Sequence, residues 1–116
     1  MTRVLERSRP LVSVLDFTPQ EITSFLRFAL SADFVKEAYV FGSFVEGKLN
    51  PWSDLDLLIV ADTELPFLER PRQFAKLNEL GVPVDVLVYT KDEFDALKIS
   101  NSGFWKSFQK CHLRLM

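Results

Sequence analysis

The sequence predicts an α/β (α+β) fold: a small, mixed sheet of three to four strands with helices packed against it. Three observations lead there. The tetrapeptides Thr18-Pro19-Gln20-Glu21 and Thr90-Lys91-Asp92-Glu93 are capping boxes, each announcing a helix. Two short runs rich in Leu, Ile and Val, at 55–60 and 82–89, have the composition of strands covered on both faces. Helix and strand signals alternate along the chain, which favours helices laid on a sheet.

Residues 1–17 read as an N-terminal arm or a short strand, with 11–15 as the apolar part. At Thr18 the capping box, with proline at the first helical position, starts a helix. Ile22, Phe25, Leu26 and Ala29 then recur at helical spacing, and the helix fades at 32–34. The run Ala38-Tyr39-Val40-Phe41 is a buried strand ending in the Gly42-Ser43 turn, and 44–53 is a polar loop. A strand follows at 55–60. Pro71 fits the first turn of a helix over 70–80, with Phe74 and Leu77 inside and Gly81 as its stop. A third strand spans 82–89. The second capping box opens a helix through Phe94 and Leu97, and a further short helix covers 104–108.

At 116 residues the chain is of one-domain size, with 1–116 as a single unit. Hydrophobic residues at 47% and charged residues at 26% suit a packed core and exclude a disordered chain. A net charge of −2 argues against direct nucleic-acid binding, which needs cations to neutralise phosphates. One cysteine, Cys111, forms no internal disulfide, and one histidine, His112, makes no His-rich metal site. No apolar stretch suits a membrane span, so the expectation is a cytoplasmic protein. The eleven phenylalanines exceed what a small core normally takes and point to a partner surface. Homo-oligomerisation is left open.

Three features carry chemistry. Gly42-Ser43 at a strand end offers backbone N–H groups and a hydroxyl to phosphate oxygens, although such turns are common in purely structural roles. In Ser53-Asp54-Leu55-Asp56 the two carboxylates lie two residues apart, on one face of a strand. Like charges that close raise each other's pKa, and a divalent cation relieves them; the bland reading is a solvated strand entrance. Asp85 interrupts an apolar strand, which is costly unless the carboxylate is paired, metal-bound or at a solvent-facing edge. If that strand lies beside 55–60, Asp85 joins Asp54 and Asp56.

In this order, Gly42-Ser43, Gly47, Ser53-Asp54-x-Asp56-Leu57 and a later strand aspartate resemble the nucleotidyltransferase superfamily that includes DNA polymerase beta. The likeness is greatest to the minimal nucleotidyltransferases (MNT) of prokaryotic toxin–antitoxin pairs, and runs from the Thr18 helix to about Phe108. The resemblance implies a metal-dependent transfer of a nucleoside monophosphate, with AMP from ATP as the expected case. It implies Asp54, Asp56 and Asp85 as catalytic residues and ligands of Mg2+, with two ions expected. It also assigns the nucleotide to Gly42, Ser43, Gly47 and Ser53. The implied acceptor is a hydroxyl on a helical HEPN-type toxin, the chain being the antitoxin. One departure stands out: relatives carry an arginine or other polar residues where this chain has Phe44-Val45-Glu46, and Lys48 is the nearest substitute.

Two alternatives follow. A weak or inactive member of the same fold would act by binding its partner, and a small-molecule enzyme of the aminoglycoside type would need an acceptor domain not seen in this sequence. Trp52 reads as a loop ring covering the core, with stacking on a nucleobase as its second reading. Phe104, Trp105 and Phe108 read as core or as a partner-binding face.

Overall fold

A computed structural model describes residues 10–116. Its elements are, in order, α1 (Pro19–Ala29), β1 (Val35–Phe41), α2 (Ser43–Glu46), β2 (Leu55–Ala61), a 3-10 segment (Phe67–Leu80), β3 (Val84–Tyr89), α3 (Lys91–Ile99), α4 (Gly103–Lys110) and β4 (His112–Arg114). The four strands form one mixed sheet in the order β3-β2-β1-β4. β1 is antiparallel to both β2 and β4, whereas β2 and β3 are parallel.

Strand alternation divides the sheet into two unlike faces. Ala38 and Val40 of β1, with Leu55, Leu57 and Ile59 of β2, join an aliphatic core beneath α1 and the 3-10 segment. Tyr39, Leu58 and Val60 face the other way and pack with Phe94 and Phe108 of α3 and α4. β2 is thus covered on both sides, as its unbroken apolar run foretold, and Leu57, Leu58 and Ile59 are wholly buried. Each such side chain contributes roughly 1.5–3 kcal/mol.

The helix starts follow their caps. Thr18 Oγ1 accepts from the Glu21 N–H (3.0 Å) while Glu21 Oε1 accepts from the Thr18 N–H (2.8 Å). Thr90 and Glu93 repeat the exchange at α3. α1 ends at Ala29, short of the expected 32–34, because Leu30 turns into the core and closes the last turn onto the Leu26 carbonyl.

Other expectations need correction. The N-terminal reading over 1–17 falls partly on 1–9, outside the described residues. Beyond them, Ser13 caps a 3-10 turn, Val14–Asp16, in place of a strand. The loop expected at 44–53 begins with the helical turn α2. The helix expected at 70–80 starts earlier, at Phe67, and winds as 3-10 turns with a kink at Phe74 (φ −119°, ψ 41°). Pro71 removes one α-helical hydrogen bond and its ring crowds the carbonyl of Phe67, which loosens the first turn, while the kink follows at Phe74. Gly81 does stop the segment, at φ 82°. β3 starts at Val84, two residues late, since Pro83 has no N–H to give; its carbonyl accepts from Leu55 N–H instead (3.0 Å).

The phenylalanine surplus is mostly core: only Phe28 and Phe67 of the eleven are exposed. Phe108 is buried, and Phe104 and Trp105 pack beside it, so the aromatic strip of α4 covers the sheet. No helix among the described residues is long and apolar enough to cross a membrane.

Candidate active site

Asp56 is paired with Asp85 across the parallel β2–β3 ladder, and both side chains fall on the aromatic face by strand alternation. Asp54 lies just before β2, with its carboxylate close to that of Asp85. Each of the three carboxylates offers an oxygen within 4.8 Å of the others. Strand pairing therefore brings together what the sequence spreads over 32 positions. The edge and cluster readings of Asp85 are both met: β3 is an edge strand, Asp85 is exposed, and it still joins the triad.

The electrostatics are those of a site lacking positive charge. Partial burial pushes Asp56 up to about 6, and the charges of Asp54 and Asp85 add to the effect. Asp85 is raised by its own desolvation, by the hydrogen bond with Asp54 and by that group's charge. Among the described residues no ion pair includes any of the three. An oxygen-only donor set of this charge suits a hard divalent cation, so the residues fit Mg2+ or a similar ion. Lys48 does not supply the balance, since its ammonium lies 3.9 Å from Glu46 in an exposed pair.

Gly42 shapes the floor of the site. It adopts φ 75°, ψ −150°, conformations that side chains disfavour. A Cβ there would overlap Asp56 Oδ2 and stand 3.2 Å from its Cγ, so the carboxylate occupies the space a side chain would fill. Gly42 also opens α2, its carbonyl accepting from the N–H groups of Val45 and Glu46. Ser43 is therefore the first residue of a helical turn, where backbone N–H groups point outward toward an anion. Phe44 and Val45 pack on the aliphatic core, which explains why apolar residues stand there.

Gly47 ends α2 in the left-handed region at φ 73°, with open space around a would-be Cβ. Ser53 pins a turn: its Oγ accepts from the Asn50 N–H (2.8 Å) and its N–H donates to the Asn50 carbonyl (3.0 Å). Trp52 does not cover the core but is 59% exposed. Cys111 and His112 stand apart from the triad. His112 lies in β4, paired with Phe41, its ring stacked on Phe108 at 4.6 Å.

Two elements beside the site escaped sequence reading. α2 is a single turn, too short to show helical periodicity. β4 is three residues long, and its only signal is the alternation His112-Leu113-Arg114-Leu115, with Leu115 buried. Phe104 of α4 packs edge-on to Phe41 (5.7 Å), the residue paired with Asp56, so α4 walls the aromatic face beside the carboxylates.

Known proteins resemble this chain in sequence and fold. Over 60 residues the chain is 40% identical to the probable protein adenylyltransferase MntA of Haemophilus influenzae. That match takes in 48% of this chain and 53% of the relative, about half its length. A toxin–antitoxin crystal structure with AMP-PNP superposes with a TM-score of 0.56 at 21% identity, covering 86% of this chain and 73% of that one. A nucleotidyltransferase-like structure from Sulfolobus solfataricus gives 0.51 at 22% identity, covering 67% and 75%. These structures share the fold. The nucleotidyltransferase domain family matches residues 20–103, most of the chain, and the chain belongs to that family.

Proposed function

We propose that this chain transfers a nucleoside monophosphate, AMP from ATP, to a hydroxyl of a partner protein, as the antitoxin of a HEPN/MNT pair. The observation that carries the reading is the convergence of Asp54, Asp56 and Asp85 at the strand ends, with oxygens within 4.8 Å and no cation paired to them among the described residues. The relative named an adenylyltransferase and the toxin–antitoxin neighbours favour a protein acceptor over a small molecule.

In this reading Asp54 and Asp56 hold Mg2+ with the triphosphate, and Asp85 completes the set. When bound, the divalent ions neutralise the phosphate oxygens and the charge developing on the leaving group. Gly42 and the first N–H groups of α2 grip the phosphates, with the Ser43 hydroxyl as a further donor. Gly47 and Ser53 hold the two ends of the intervening loop in place. The acceptor oxygen bonds the α-phosphorus as its bond to the β-phosphate oxygen breaks. The hydroxyl proton passes to Asp85, whose carboxylate stands beside the other two, and pyrophosphate leaves. Positioning supplies most of the remaining rate.

The test is label transfer. The chain, with the partner that co-purifies from its host, is given Mg2+ and α-labelled ATP beside an Asp56→Asn variant. Label on the partner with the parent chain alone is the expected result, with the variant slower by roughly 100-fold or more. A stable partner left unlabelled by all four nucleotides would favour a binding-only antitoxin. The apolar Phe44-Val45 stretch, with Lys48 turned to Glu46, is the observation behind that second reading.

A further inference from the structure

Trp52 is the large aromatic side chain that the fold leaves unused. It precedes Asp54 by two residues, is 59% exposed, and makes no ring contact among the described residues. Exposed indole is uncommon on a small domain, because tryptophan normally buries its body and wets only one end.

The loop around it is nonetheless ordered. The Trp52 N–H donates to Asn50 Oδ1 (2.8 Å), and Asn50 N–H donates to Ser53 Oγ (2.8 Å). The Pro51 carbonyl accepts from Ser13 Oγ (3.0 Å), a residue only 1% exposed, which ties the turn to the N-terminal segment. The backbone that carries the ring is therefore set before any ligand arrives, which lowers the ordering cost of binding to it.

We propose that Trp52 is the stacking platform for the base of the donor nucleotide, making the chain selective for purine over pyrimidine triphosphates with little distinction between adenine and guanine. The inference rests on the reading of Asp54, Asp56 and Asp85 as the site that holds the triphosphate. Two residues of chain span at most about 7 Å, and the turn at Trp52 keeps it nearer. That is comparable with the ribose separating an α-phosphate from its base, so a nucleotide anchored at Asp54 has its base within the indole's range. Stacking accepts any base through its face, and the wider purine overlaps an indole more fully. The Trp52 N–H, the Asn50 carboxamide oxygen and the Pro51 carbonyl are already bonded within the fold, so the largest free surface of the turn is the exposed indole itself.

The experiment uses the full chain with Trp105→Phe, so that Trp52 is the sole fluorophore, since the chain has two tryptophans. Non-hydrolysable analogues of ATP, GTP, CTP and UTP are titrated with Mg2+ while indole emission is followed. Calorimetry then gives the affinities of Trp52→Ala and Trp52→Phe. Expected are saturable quenching by ATP and GTP, with affinities within about threefold of each other, and pyrimidines weaker by about fivefold or more. Trp52→Ala should bind ATP about tenfold more weakly, and Trp52→Phe should recover most of the loss. Unchanged affinity in Trp52→Ala while the parent chain binds would overturn this proposal and leave the metal site standing. So would a preference between ATP and GTP beyond tenfold. Intact nucleotide binding with loss of adduct formation would assign the ring to the acceptor protein and equally overturn it. Absence of Mg2+-dependent binding in the parent chain, matched by Asp56→Asn, would sink the metal-site reading and this inference together.

Discussion

Clustered charge flanks both ends of the parallel β2–β3 pair, and the two ends are built on opposite terms. Beyond β3, the buried Arg70 donates to the carbonyls of Leu65 (2.9 Å) and Val88 (3.0 Å) and to the Glu93 carboxylate. Glu93 in turn caps α3 through the Thr90 N–H. Every strong polar group there has its counterpart within the chain. At the start of the same strands, Asp54, Asp56 and Asp85 meet with no cation among the described residues, and Asp56 is pushed up to about 6, by partial burial first and by the two neighbouring charges second. One cluster stabilises the fold; the other is held together by it and, in the proposed function, takes its counter-charge from a bound cation. Perturbed carboxylates without an internal partner are what distinguishes a working site from a structural latch.

The largest expected effect strikes the latch. Arg70→Ala leaves the buried Val88 carbonyl and the partly buried Leu65 carbonyl without their donor and Glu93 without its cation. It should cost about 3 kcal/mol of stability, read as a shift of the urea midpoint at unchanged slope. A loss below about 1 kcal/mol would erase the contrast between the two ends.

The next effect separates geometry from fold at the site. Gly42→Ala forces φ 75° on a residue with a Cβ and drives that atom into Asp56. A loss of about 2 kcal/mol is expected, together with loss of label transfer in protein whose circular dichroism is native. Gly47→Ala is the matched control, with nearly the same φ but open space around the added atom. It should cost about 1 kcal/mol and lose far less activity than Gly42→Ala. Equal activity loss in the two variants would mean that positive φ, and not the approach to Asp56, is what matters at Gly42.

The same contrast explains what was legible in the sequence. Capping boxes are local chemistry, so Thr18 and Thr90 announced their helices correctly. A fully buried strand such as β2 shows as an unbroken apolar run, and the Asp-x-Asp spacing needs only strand alternation. That Asp85 reaches the pair depends on strand neighbours, which the sequence could only pose as a condition; the parallel ladder meets it. The 3-10 winding of 67–80 and the brevity of α2 and β4 arise from proline sterics and tertiary packing, which periodicity does not register. Trp52 was misread because apolar character argues for burial by default, while its exposure is decided by a turn that Asn50 and Ser53 build.

A third prediction concerns sign. Asp56 has a folded-state pKa raised to about 6 from 3.8, so the folded chain holds its proton more tightly than the unfolded one. Below about pH 4 the group is protonated in both states and costs nothing; the penalty grows between pH 4 and 6 and is complete above. Two units correspond to about 3 kcal/mol, which partial solvent screening reduces to about 1–2 kcal/mol. Metal-free Asp56→Asn should therefore be more stable than the parent chain by that amount at neutral pH, the gain vanishing near pH 4. Added Mg2+ should stabilise the parent chain and not the variant. A metal-free variant less stable than its parent would show that the carboxylate serves the fold after all.

The smallest effect tests whether the latch acts as one unit. Thr90→Ala removes half of the α3 capping box and should cost about 1 kcal/mol. Thr90 Oγ1, however, accepts from the N–H of Glu93, the residue whose carboxylate Arg70 holds, so the two losses meet at Glu93 and are not independent. A double-mutant cycle of Thr90→Ala with Arg70→Ala should show a coupling of about 0.5 kcal/mol or more. Acid should remove that coupling. The hydrogen bond from Arg70, then that from Thr90, holds the Glu93 carboxyl below its ordinary value. Its contribution is thus present above the usual carboxylate range and lost as pH falls through the lowered folded value. Additive losses at neutral pH would split the latch into a helix cap and a separate ion pair. Coupling that disappears in acid would tie the start of α3 to the 3-10 segment through one carboxylate, the opposite of the three at the other end, which await their counter-charge from solution.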